Sequence, residues 1–125
     1  DAGMNDLIRP TLYDAHHDIW AVDEARGQEP SLVQDIVGPV CETGDFLARD
    51  RSLSPFREGD LGAVMTAGAY GAVQASTYNS RLLVPEVIVS GDEYAIARAR
   101  PSYEDMLAAE HIAPWLTPRE AIGRA

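Results

Sequence analysis

The stretch Leu32-Val-Gln-Asp-Ile-Val-Gly-Pro-Val-Cys-Glu-Thr-Gly-Asp45 decides how this chain is read. From Leu32 to Val40 it is rich in apolar and β-branched side chains, which pack well on a pleated surface and predict a strand. The strand delivers the chain to Cys41 and Glu42, a thiol beside a carboxylate, and Gly44 then permits a sharp turn. One reading is an acid or base presented on a loop. The other is a small buried cysteine closing the strand, with Glu42 and Asp45 facing water, and spacing alone favours it.

Working outward, the segments on both sides carry more strand signals than helix signals. Upstream, Asp23 to Pro30 is charged and holds Gly27 and Pro30, so it reads as a surface loop, and Ile19 to Val22 reads as a strand. Residues 10 to 17 are expected to form a short helix, with Pro10 in its first turn and Leu12, Ala15, His16 and Ile19 at helical spacing. The chain opens Asp1-Ala-Gly-Met-Asn-Asp6 without an initiating methionine, and we expect a piece of a longer protein.

Downstream, Pro55, Gly59 and Asp60 mark a turn before Leu61 to Met65, a short strand-like segment. Val84 to Ser90 and Tyr94 to Ala99 read as a hairpin joined by Gly91-Asp92-Glu93. Ser102 and Asp105 stand at capping-box spacing, which predicts a helix running toward His111. The tail from Pro114 onward is expected to be peripheral. The balance is mainly β.

Composition excludes several function classes. Twenty acidic residues stand against 10 basic ones, so nucleic acid and anionic membrane surfaces are disfavoured as partners. Every basic residue is arginine, and chemistry that needs a primary side-chain amine must borrow it from elsewhere. The single cysteine, Cys41, rules out an intrachain disulfide framework and fits a reducing cytoplasm. No apolar run approaches the ~20 residues needed to span a bilayer.

Few residues could carry chemistry. Arg9 and Tyr13 are four apart, which puts a guanidinium and a phenol on one side of a helical turn where both could address a carboxylate; such pairs also pack at surfaces without function. Gly68-Ala-Tyr-Gly71 sets the Tyr70 hydroxyl between two glycines, either to meet a phosphate or as a packed strand-end turn. His16 and His17 point about 100° apart in a helix and are read as structural. The spacing of His and Cys gives no metal site, and no glycine-rich phosphate loop occurs.

In order along the chain, Asp1-Ala-Gly-Met-Asn-Asp-Leu-Ile-Arg-Pro-Thr-Leu-Tyr13, Val37-Gly-Pro-Val-Cys-Glu-Thr-Gly-Asp-Phe-Leu-Ala48, Gly59-Asp-Leu61, Ala67-Gly-Ala-Tyr-Gly71 and Tyr78-Asn-Ser-Arg81 resemble the diaminopimelate decarboxylase family. That family lies in the alanine-racemase-like group of pyridoxal-phosphate enzymes, and the resemblance runs from Asp1 to about Glu110. It implies a two-domain enzyme in which a (β/α)8 barrel, missing here, holds pyridoxal 5'-phosphate on a lysine, and a β-sandwich or barrel-like C-terminal domain completes the site. Residues 1–18 would be the end of the barrel and its connection, 19–113 the β-domain and 114–125 the tail.

The resemblance also implies roles. Arg9 and Tyr13 would contact the substrate carboxylate, and Glu42 its distal ammonium group. Tyr70 would contact substrate and cofactor. Cys41 would enter the site of a homodimer partner and protonate the substrate carbon after carbon dioxide leaves. Thr43 stands where many relatives have serine, and His16 where they have an aromatic. Two alternatives stay open: a decarboxylase of the same group acting on another basic amino acid, and a noncatalytic binding or regulatory β-module.

Overall fold

The computed structural model describes residues 1–116. They fall into two units, Asp1–Leu83 and a second beginning at Val84. The first contains α1 (Arg9–Tyr13), β1 (Ile19–Ala21), β2 (Leu32–Val37), β3 (Phe46–Leu53), β4 (Gly62–Val64) and α2 (Gly68–Gln74). The second contains β5 (Glu86–Ser90), β6 (Glu93–Arg98) and α3 (Tyr103–Leu107). The strands form three antiparallel pairs, β1 with β4, β2 with β3 and β5 with β6. The fold is mainly β with short helices, as expected.

In the first unit, Pro10 sits in the opening turn of α1, where its missing N–H costs nothing. The helix stops at Tyr13 because Asp14 turns left-handed, with φ 55°, and the Ala15 amide donates to the Arg9 carbonyl. The expected helix over 10 to 17 is therefore shorter, and His16 and His17 lie on the approach to β1. β1 pairs with β4 from Ile19↔Val64 to Ala21↔Gly62.

β2 and β3 pair from Leu32↔Leu53 to Val37↔Phe46. Between Gln34↔Arg51 and Ile36↔Ala48 one strand has a single intervening residue and the other has two, which makes a bulge. Asp50 takes up the extra residue with φ 49°, and its amide donates to the Asp35 carboxylate at 2.8 Å. β2 ends at Val37 rather than Val40 because the Gly38 amide turns back to the Asp45 carbonyl at 3.0 Å.

The core of this unit is small. Leu7, Ile19, Leu47 and Ala48 are buried together, and Ile36, Leu53, Phe56, Val64 and Ala67 pack against them. The 23 to 30 loop, which contains a 3-10 turn at Arg26–Gln28, is held by charges. Arg26 bonds Glu29 at 2.9 Å and Asp60 at 3.3 Å, and Arg57 bonds Glu29 at 2.9 Å.

In the second unit, Ser90↔Glu93 leaves Gly91 and Asp92 as a two-residue turn. Gly91 has φ 58°, a conformation most side chains resist. The hairpin falls where the sequence placed it, with Glu93 already in the strand. Val87, Ile88, Val89, Tyr94 and Ile96 are all at least half exposed. The α3 capping box also forms: the Ser102 hydroxyl accepts from the Asp105 amide, and the Asp105 carboxylate accepts from the Ser102 amide. The Ser102 amide, together with the Ser102 hydroxyl, which also donates to the Asp105 carboxylate at 2.9 Å, holds the Asp105 carboxyl below the usual carboxylate range. Pro114–Leu116 form a 3-10 turn, and the rest of the expected tail lies outside the described residues.

Candidate active site

The Cys41 loop is built on a buried carboxylate. Asp45 is only 5% exposed; it takes the Met4 amide on Oδ1 at 2.6 Å and the Val40 amide on Oδ2. Charge-assisted bonds of this kind are short and strong, and here they tie the loop to the turn at Gly3–Asp6. Gly38 is required because a Cβ there would lie on the Asp45 carboxylate. The Thr11 hydroxyl of α1 donates to the Gly44 carbonyl, fixing the far side of the loop. Asp45 therefore does not face water, and the strand-end reading of the thiol fails as well: Cys41 is exposed at the crest of the loop.

Two residues that sequence reading gave no role meet that crest. The Tyr78 hydroxyl donates to Glu42 Oε2 at 3.4 Å, and the Asn79 amide donates to Cys41 Sγ at 3.6 Å. Thr43 donates to Glu42 Oε1 at 3.2 Å. The Glu42 charge, helped by partial desolvation and the hydrogen bond, raises the Tyr78 hydroxyl above the ordinary tyrosine value. Tyr78 and Asn79 lie within the quoted Tyr78-Asn-Ser-Arg81 motif, and only that motif could have flagged them.

A second cluster forms between the two helices. Arg9 and Tyr13 of α1 and Tyr70 and Gln74 of α2 line a cleft of about 240 Å³. The Arg9 guanidinium lies over the Tyr70 ring at 5.5 Å, a cation–π contact that orients both. Gln74 Nε2 donates to the Tyr13 hydroxyl at 2.8 Å, so that hydroxyl keeps its own proton to donate outward. Gly68-Ala-Tyr-Gly71 begins a helix rather than forming a strand-end turn. Gly71 is buried where a Cβ would stand 3.3 Å from Leu7 Cδ1, and it seats α2 on the core. Had the helix been recognised, the spacing of Tyr70 and Gln74 would have revealed Gln74.

The five predicted site residues thus fall into two clusters, and no hydrogen bond or ion pair among the described residues joins them. Arg9, Tyr13 and Tyr70 present a cation and phenols suited to a carboxylate or phosphate. Cys41 and Glu42 present a proton donor and an anion. His17 belongs to neither: it is 3% exposed with Nδ1 3.0 Å from the Met65 carbonyl. His16 sits at the surface with Asp18 and Arg51.

Residues 1–68 match the family model for the pyridoxal-dependent decarboxylase, C-terminal sheet domain. The diaminopimelate decarboxylase of Zymomonas mobilis is 56% identical over 116 residues, which cover 93% of this chain and 27% of the relative. That of Archaeoglobus fulgidus is 47% identical over the same shares. Among solved structures, the M. jannaschii diaminopimelate decarboxylase has a TM-score of 0.84 at 36% identity, covering 93% of this chain and 26% of its own. The Helicobacter pylori enzyme, solved with L-lysine, has a TM-score of 0.77 at 39% identity, covering 86% of this chain and 26% of its own. The chain spans about a quarter of the length of these relatives. With the family model laid over α1, the β1–β4 and β2–β3 pairs and the Cys41 loop, this chain belongs to the C-terminal sheet domains of the pyridoxal-dependent decarboxylases.

Proposed function

We propose that this chain is the C-terminal part of a diaminopimelate decarboxylase, a cytoplasmic carboxy-lyase that uses pyridoxal 5'-phosphate to convert meso-2,6-diaminopimelate into L-lysine and carbon dioxide. The observation that carries the proposal is the presence of two chemically opposite clusters, one at Arg9, Tyr13 and Tyr70 and one at Cys41 and Glu42, in a chain without lysine. A substrate whose distal centre bears both carboxylate and ammonium needs a cation and an anion. A simple diamine precursor does not. The curated relatives support diaminopimelate over ornithine or arginine.

The cofactor suits the helix cleft. Tyr70 offers an exposed ring and a hydroxyl with no protein partner among the described residues, and Arg9 supplies positive charge beside it. Tyr70 would hold the cofactor, while its covalent lysine must come from the barrel, for which residues 1–18 are the exit and 19–113 the completing domain. When bound, pyridoxal 5'-phosphate supplies an electron sink for the pair left as carbon dioxide departs. Arg9 and the outward Tyr13 hydroxyl orient the substrate by its carboxylate. Glu42 holds the distal ammonium group, and Cys41 gives a proton from Sγ to the reacting carbon. As the resemblance of the Cys41 loop implies, Cys41 and Glu42 would serve the neighbour's site in a two-fold homodimer.

In the full-length enzyme, Glu42→Gln should cut kcat/KM for diaminopimelate by on the order of 2 to 5 kcal/mol, or at least about 30-fold, with the melting temperature little changed. Carbon dioxide release measures this directly. Unchanged efficiency with diaminopimelate, or a full-length enzyme that turns over ornithine or arginine instead, contradicts the proposal.

A further inference from the structure

We infer that Asn79 is the positioning residue for Cys41, holding its sulfur in place and compensating the charge left there when the thiol gives up its proton. This rests on the proton-donor role proposed above and adds to it a residue of the same site.

The backbone at Asn79 is the first reason. Asn79 and Ser80 are consecutive non-glycine residues in the left-handed region, with φ 60° and 55°. Such conformations persist only where the surroundings enforce them. The enforcing contact is Arg81, which donates to the Asp1 carbonyl and lies 3.9 Å from the Asp6 carboxylate. Asp6 in turn accepts the Gly3 amide at 2.9 Å, while the next amide, that of Met4, belongs to Asp45. One N-terminal turn therefore anchors both the segment carrying Asn79 and the loop carrying Cys41.

The side chain is the second reason. Left-handed asparagines often bond their own local backbone, but the Asn79 amide reaches a thiol 38 positions away. In the proposed step the S–H bond breaks, its electron pair stays on sulfur, and the proton bonds to the carbon that has lost carbon dioxide. The sulfur is then anionic, and an N–H aimed at it is worth more than before transfer. Tyr78 does the corresponding work for Glu42.

Two full-length variants separate this role from a purely conformational one. Asn79→Gly keeps the left-handed backbone and deletes the amide, whereas Asn79→Asp keeps shape and conformation but replaces donor with acceptor. Both should lower kcat about 10-fold or more, with KM within about two-fold, because the contact matters most in the transition state. Separately, without cofactor, alkylation of Cys41 by iodoacetamide at a fixed, mildly alkaline pH should slow about five-fold or more in Asn79→Asp, since a carboxylate beside sulfur disfavours the reactive thiolate. Parent-like kcat in Asn79→Gly, or equal alkylation rates, overturns the inference. A parent with no diaminopimelate decarboxylation would instead overturn the proposed function, and the alkylation rates would still decide the contact.

Discussion

The Asp45 carboxylate accepts the amides of Met4 and Val40 from a buried position, so Asp45→Asn sets an N–H2 against one of them. A buried donor left without an acceptor costs about 1 to 3 kcal/mol. Urea unfolding of the full-length enzyme should show that loss, and an unchanged midpoint would contradict the role given to Asp45. Tyr78 gives a second check at this scale. Its raised hydroxyl stays protonated to higher pH because of the Glu42 charge, so Glu42→Gln should lower its titration toward the ordinary tyrosine value. Carbon-labelled tyrosine followed by nuclear magnetic resonance across alkaline pH measures this, and no movement would remove Glu42 as the cause. Cys41 and Glu42 were singled out in the sequence as an unusual thiol beside a carboxylate, while the roles proposed for them came only from the family resemblance. Asp45 was not, since a carboxylate after Gly44 looks the same whether it caps backbone amides or faces water.

Elements with strong local signals were legible, and those set by tertiary contacts were not. The β5–β6 hairpin follows from the β-branched run Val87-Ile-Val89 and the apolar run from Tyr94 on either side of the Gly91 turn, and α3 follows from its capping box, both local effects. β3, the longest strand, was missed because its bulge breaks the alternation of buried side chains, and Arg49-Asp50-Arg51 imitates a solvated loop. α2 was missed because two glycines in seven residues read as a turn. It forms because Gly71 can lie against Leu7 and seat the helix. Since β3 supplies Leu47 and Ala48 to a core of few buried residues, Leu47→Ala should destabilise the full-length enzyme by about 2 to 5 kcal/mol. A loss under 1 kcal/mol, read from denaturant unfolding, would contradict the place given to Leu47 in the core.

At the scale of the molecule, much of the apolar surface faces outward. Val33, Val73, Tyr94 and Trp115 are each more than two-thirds exposed, and a hairpin such as β5–β6 is at best marginally stable alone in water. The relatives are about four times longer, which is consistent with a further domain covering such surface. The central claim is that each chain supplies two half-sites: Arg9, Tyr13 and Tyr70 to its own cofactor, and Cys41 with Glu42 to its neighbour's. Mixing two full-length variants tests it most directly, one lacking the barrel lysine and the other carrying Cys41→Ala, each nearly inactive alone. In a mixed dimer one site then receives both defects and the other neither. Random association makes about half the dimers mixed with one intact site each, so decarboxylation should recover to roughly a quarter of the unmutated enzyme's. Verified mixed dimers that stay as inactive as both parents would place Cys41 in its own subunit's site and contradict the claim.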